Sequence, residues 1–260
     1  MLEHLARLGY VCKAVIFAMA GSLAIAAATR RGGRVTDTSG ALRVILVQPY
    51  GRALLLVLGI GLCGYAVWRV LDAVRDPDHH GTGFTGIITR IGNLVRALIY
   101  GGLGLESFRL FRGLGGSNGG EVQMWTARIM DVPLGWLIVA LLGAIILVYG
   151  VSEVIASFRG GYSRTLDISP IPARWRTTAQ AISRFGIGAR GVIIAVLGFF
   201  LVRAAFQQDP RKAHDQRDSM LELANAAGGR WMLLLIGSGL LAYAVDQAIH
   251  ARCRRIKPVT

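Results

Sequence analysis

Gly51–Ala73, GRALLLVLGIGLCGYAVWRVLDA, is an apolar run long enough to cross a hydrocarbon core about 30 Å thick. Its landmarks recur. Gly51, Gly59 and Tyr65 return as Gly135, Gly143 and Tyr149, and again as Gly229, Gly237 and Tyr243, with steps of eight and then six residues each time. A template repeated at fixed offsets marks an internal repeat.

A second apolar block precedes each copy and carries its own template. Arg7, Gly9, Lys13 and Gly21 match Arg90, Gly92, Arg96 and Gly104, and both sets match Arg184, Gly186, Arg190 and Gly198. The Ala-rich end of the first block (Ala24, Ala26, Ala28) has the composition of a signal-peptide cleavage region. A removable leader has no reason to share a template with two internal helices, so this block is expected to stay. The repeat units are then 7–73, 90–156 and 184–250, within a single membrane domain, 1–260. Spans are predicted near 8–28, 51–73, 90–110, 134–156, 185–206 and 230–250. Backbone polar groups in lipid must be satisfied within the segment, which makes such spans helical. A barrel would need alternating patterning, which these continuous runs lack. The expected fold is an all-α integral membrane protein, with six transmembrane helices as three tandem two-helix repeats in a pseudo-threefold arrangement.

Composition agrees. The 260 residues are 53% hydrophobic and only 17% charged, with a mean hydropathy of +0.49; soluble domains carry about 25% charged residues. The net charge is +14, nearly all from Arg. These cations sit mostly at the edges of apolar blocks, where they meet lipid phosphates, and no nucleic-acid module accompanies them. Anionic membrane lipids are the expected partners, not nucleic acid. Cys12, Cys63 and Cys253 are odd in number and contain no CxxC pair, which argues against a disulfide framework or a zinc site.

Ser39–Val47, Glu121–Ile129 and Ser219–Ala227 mix apolar and polar residues at helical spacing and are predicted to be short interfacial helices, with Ser39 and Ser219 as N-caps. Pro49 and Pro133, two residues before a repeat glycine, should end the first two of them. Gly115–Gly120 is read as a flexible loop, and Arg75–Thr89 and Arg159–Arg176 as hydrophilic connectors. Six spans put both termini on one side. The basic tail after His250 and the Arg-rich 159–176 connector share that side, which we expect to be the cytoplasmic face of a bacterial inner membrane.

Charges inside the apolar blocks are the informative residues for function. Lys13, Arg96 and Arg190 each lie six residues past the opening Arg of their helix, about 9 Å along its axis. Four residues after each repeat tyrosine comes Arg69, Glu153 or Gln247, with Asp72 and Asp246 nearby. Counted from the helix ends, these positions return to the same depth. The expectation is one polar layer of Lys13, Arg69, Arg96, Arg190, Glu153 and Asp246, edged by Tyr65, Tyr149 and Tyr243. Such charges either snorkel and pair for helix registration, Glu153 with Arg69, or build an anion site or ion pathway. Glu106 departs from the template, whose other copies have Leu23 and Phe200; Arg109, three residues on, is its expected partner. Residues 76–80 (DPDHH) have metal-ligand types but no second cluster to complete a site, so no metal is expected.

The repeated R-x-G-x3-[KR]-x7-G helices, each followed by a QPYGRALLLVLGIGLCGYAVWR-type helix, resemble the bacterial "domain of unknown function 1206" membrane proteins. The resemblance covers nearly the whole chain. Its second copy departs, with Val132-Pro133-Leu134-Gly135-Trp136 where the first has Gln48-Pro49-Tyr50-Gly51-Arg52. The resemblance implies a six-span inner-membrane protein and supplies no catalytic residues.

No Walker motif, HExxH or dinucleotide fingerprint is present, and Gly237-Ser238-Gly239 lies inside an apolar helix rather than after a strand. The expected role is therefore non-catalytic and needs no cofactor. It is a transport or channel-like component using the cationic layer or, alternatively, a scaffold or regulatory subunit that binds anionic lipid or a partner. A second copy of the chain or another membrane protein is the remaining partner to expect.

Overall fold

The computed structural model describes residues 2–29, 38–75, 84–114, 121–159, 172–214, 218, 220–221 and 229–253. Among them all regular structure is helical: α1 (Leu2–Ala28), α2 (Thr38–Leu46), α3 (Gly51–Arg75), α4 (Phe84–Phe111), α5 (Glu121–Met130), α6 (Gly135–Arg159), α7 (Ala173–Gln207), a 3-10 turn (Pro210–Lys212) and α8 (Gly229–Cys253). Five helices are long and apolar enough to cross a membrane: α1, α3, α6, α7 and α8. The 28-residue α4 is not among them, since Arg90, Asn93, Arg96, Glu106 and Arg109 dilute its apolar character.

The six predicted segments and the first two interfacial helices fall on these elements, but α1, α4 and α7 begin well before their predicted starts. α7 begins at Ala173, about three turns before its predicted start, because Ala173–Ser183 contains no Gly or Pro to stop it. Pro172 starts it, with its carbonyl accepting the Trp175 N–H at 2.9 Å. Ser39 is not an N-cap: α2 already begins at Thr38. Ser219, most of the third interfacial segment, the 115–120 loop and residues 76–80 lie outside the described residues.

Pro49 and Pro133 do lie in the turns that end α2 and α5. Tyr50 and Leu134 follow in the left-handed region, at φ 61° and 62°. A Cβ on Gly51 or Gly135 would collide with the carbonyl of Ile45 or Ile129, so both turns need glycine as their next residue.

Repeat glycines also set the helix packing. The tightest pairs join the second helix of one unit to the first helix of another: α3 with α4, α6 with α7, and α8 with α1. In each pair the two template glycines meet. A Cβ on Gly21 would come 2.8 Å from the Gly237 carbonyl, one on Gly104 3.3 Å from that of Gly59, and one on Gly198 2.9 Å from that of Gly143. Lipid tails are as apolar as leucine, so such contacts hold membrane helices by close van der Waals fit rather than by water exclusion. α1 also packs on α3, and α7 on α8. Arg7 Nη1 donates to the Ala251 and Arg252 carbonyls at 2.8 and 3.0 Å, bringing the start of α1 to the end of α8 and placing a cation at a helix C-terminus.

Candidate functional site

Lys13, Arg69 and Arg96 of the expected layer are each held by tyrosines. Lys13, 3% exposed, sits among four rings, with Nζ 4.5 Å from the Tyr100 centroid, 4.6 Å from Tyr65, 5.4 Å from Tyr10 and 5.9 Å from Tyr243. It also donates to the Tyr65 hydroxyl at 3.4 Å. Such contacts stabilise a desolvated ammonium by cation–π attraction.

Arg69 is fully engaged. Its Nε donates to the Tyr65 hydroxyl at 2.8 Å, Nη1 to Asp72 Oδ2 at 3.1 Å and Asn93 Oδ1 at 3.0 Å, and Nη2 to the Tyr10 hydroxyl at 3.3 Å. Asn93 Nδ2 returns a bond to Asp72 at 3.0 Å. Arg96 continues the chain of bonds. It donates to Asn93 Oδ1 at 3.2 Å, to the Tyr149 hydroxyl at 2.7 Å and to Glu153 Oε1 at 3.2 Å, while that hydroxyl donates to Glu153 at 2.8 Å. One network thus runs from α3 through α4 to α6.

Two pairings differ from expectation. Glu153 pairs with Arg96 rather than Arg69, because Asp72, one turn along α3, already holds Arg69. Asp246 is fully buried, with Gln247 Nε2 donating to its Oδ2 at 2.8 Å, while His250 Nδ1 lies 3.4 Å from that oxygen and 2.9 Å from the Asp246 carbonyl. His250 stacks on Tyr10 at 5.5 Å, which ties this group to the edge of the layer. Glu106 and Arg109 do not pair: Arg109 is exposed, while Glu106 Oε1 is buried without a hydrogen-bond partner.

Arg190 is the exception in the layer. It is 9% exposed, and its guanidinium lies 5.0 Å from the Tyr243 ring centroid. Among the described residues it makes no hydrogen bond or ion pair, yet Tyr100, Tyr149 and Glu153 are all within electrostatic reach. Lys13 likewise has no carboxylate against it. The layer therefore carries positive charge beyond what its acids neutralise.

The sequence reading missed Tyr10, Asn93 and Tyr100. Tyr10 and Asn93 occupy the same template position, three residues before the repeat cation, and that shared polarity was a usable signal; the third copy has Ile187 there.

A family described as "Domain of Unknown Function (DUF1206)" matches residues 8–76, 91–160 and 185–254. The chain belongs to the DUF1206 family. The three matches coincide with the three repeat units, so the helical template and the family domain are one object. The "Uncharacterized protein YxxB" of Bacillus subtilis (strain 168) is 31% identical over 244 residues, covering 94% of this chain and 88% of that protein. No solved structure matches the chain.

Proposed function

We propose that this DUF1206 protein is a non-catalytic, six-span inner-membrane protein that binds an anion in its cationic layer as a component of transport across the bilayer. Arg190 carries this reading. A charge at membrane depth is costly and is ordinarily paired, and this one is nine-tenths buried with no acid or acceptor bound. Its template equivalent Lys13 shares the Tyr243 ring with it and Arg96 holds the Tyr149 hydroxyl, so a phosphate or carboxylate entering the layer meets several donors.

α4 is the sixth span in this reading: at 28 residues it is about 42 Å long and carries the template in full. The glycine contacts between units, which follow one another from α3–α4 to α6–α7 to α8–α1, support a pseudo-threefold axis along the membrane normal. Parallel repeats of this kind occur in transporters. The meeting of α1 and α8 puts their ends on one side, and the basic tail favours the cytoplasm.

A second reading is a scaffold that binds anionic lipid or a partner membrane protein. The closed network of Arg69, Asp72, Asn93, Arg96 and Glu153 favours it, because paired charges fix helix register without conducting anything. Flux of phosphate, chloride and carboxylates into liposomes carrying the purified protein separates the two. Transport predicts flux that Arg190→Gln abolishes while the fold is kept. No flux with any anion, together with lipid held by the purified protein, selects the scaffold.

A further inference from the structure

The three units do not close equally. In the first unit Gly61 of α3 receives Cys12 Sγ, and in the third Gly239 of α8 receives Ala189 Cβ. The matching residue of α6 is Ile145. Gly9 and Gly186 are pressed against Tyr65 and Tyr243, whereas their counterpart Gly92 has nothing within 4 Å. α4 and α6 accordingly stand apart, bridged by the side chains of Arg96, Tyr149 and Glu153.

The gap shows in burial. Ile99 is 51% exposed, against 1% for its equivalents Ile16 and Ile193, and Leu142 is 45% exposed, against 1% for Leu58 and 5% for Ile236. Arg190, on the Tyr243 ring, is within electrostatic reach of Tyr100 on α4 and of Tyr149 and Glu153 on α6. The exposed apolar seam of α4 and α6 thus runs up to a partly exposed Arg96, with Arg190 in electrostatic reach of its Tyr149 and Glu153.

We infer that the α4–α6 seam is a lateral portal for one anionic phospholipid, whose acyl chains lie along Ile99, Leu142 and Ile145 and whose phosphate is taken by Arg96 and Arg190. Charge complementarity selects this occupant. Glu153 is matched by Arg96 and the Tyr149 hydroxyl, which leaves the Arg190 guanidinium without a bound acid beside this apolar seam. A phosphodiester with hydrocarbon tails satisfies both features, whereas a neutral helix satisfies only the apolar one. The inference rests on the anion reading above and names its ligand.

The test uses the full-length protein in nanodiscs of phosphatidylcholine containing about one-fifth phosphatidylglycerol. Native mass spectrometry counts the lipid retained, and inorganic phosphate binding is titrated in parallel. The wild type should retain phosphatidylglycerol selectively. Ile145→Gly, which lets the seam close as in the other units, and Leu142→Trp, which fills it, should each weaken that retention about tenfold and leave phosphate binding unchanged. Arg190→Gln should weaken both. Wild-type lipid retention in both seam variants overturns the portal and leaves the anion reading standing, provided Arg190→Gln still loses phosphate. A wild type that holds neither phosphatidylglycerol nor phosphate overturns both. Loss of phosphate in the two seam variants, with unchanged unfolding midpoints, would make the seam a route for a free anion and remove lipid as its occupant. Cross-linking of Ile145→Cys to a second copy would assign the seam to an interface instead.

Discussion

Removing the Asp72 carboxylate is the sharpest test of the network. Asp72 and Arg69 side chains are 7% and 9% exposed, and one oxygen, Oδ2, takes both Arg69 Nη1 at 3.1 Å and Asn93 Nδ2 at 3.0 Å. In Asp72→Ala a guanidinium stays buried without its counter-charge and an amide donor loses its acceptor. Breaking a buried pair costs about 3–5 kcal/mol, and an unsatisfied amide about 1–3. Tyr65, Tyr10 and Asn93 still accept from Arg69, so the expected loss is near the lower end, about 3 kcal/mol. Asp72→Asn keeps an acceptor for both donors and should lose only about 1–2 kcal/mol. Arg69→Met combined with Asp72→Leu removes charge and counter-charge together and should recover most of the Asp72→Ala loss. Equilibrium unfolding by SDS in mixed micelles measures all three. An Asp72→Ala protein within about 0.5 kcal/mol of wild type, or a double variant as damaged as the single one, would refute the claim that this pair is desolvated and coupled.

Other substitutions probe the packing and the odd carboxylate in the same assay. Gly198→Ala should destabilise by about 1–3 kcal/mol, since its Cβ would strike the Leu147 backbone, whereas Gly102→Ala meets nothing within 4 Å and should stabilise by up to about 1 kcal/mol; the same sign for both would break the argument. Gly51→Ala and Gly135→Ala should each cost about 1–3 kcal/mol by crowding the turn carbonyls. Glu106→Leu, which restores the residue of the first copy, should stabilise by about 1–3 kcal/mol because it removes a buried oxygen without a partner; a loss of stability would instead give Glu106 a structural role.

Much of this arrangement could be read from residue order because a threefold template reports on itself. The glycine and tyrosine offsets located the long helices, and helical rise turned spacing into the expectation that Lys13, Arg96 and Arg190 lie at one height. Pairing was not legible. Glu153 and Arg69 sit at equivalent positions on different helices, and spacing cannot say which cation reaches which acid once Asp72 competes for Arg69. The start of α7 was missed because polar residues can continue a helix beyond the apolar block. Ile145 was visible as a break in the template, but its consequence, two helices held apart, depends on the Cys12 and Ala189 contacts that only the folded chain supplies.

The α8–α1 contact also bears on biogenesis. α1 leaves the ribosome before α8, and the helix carrying Gly237, against which Gly21 packs, is made roughly two hundred residues later, on the order of 10–40 s at ordinary elongation speeds. Throughout that interval α1 stands without its tightest packing partner. A circularly permuted chain beginning at the second unit, with the original termini joined, would bring α8 and α1 together as soon as both are made.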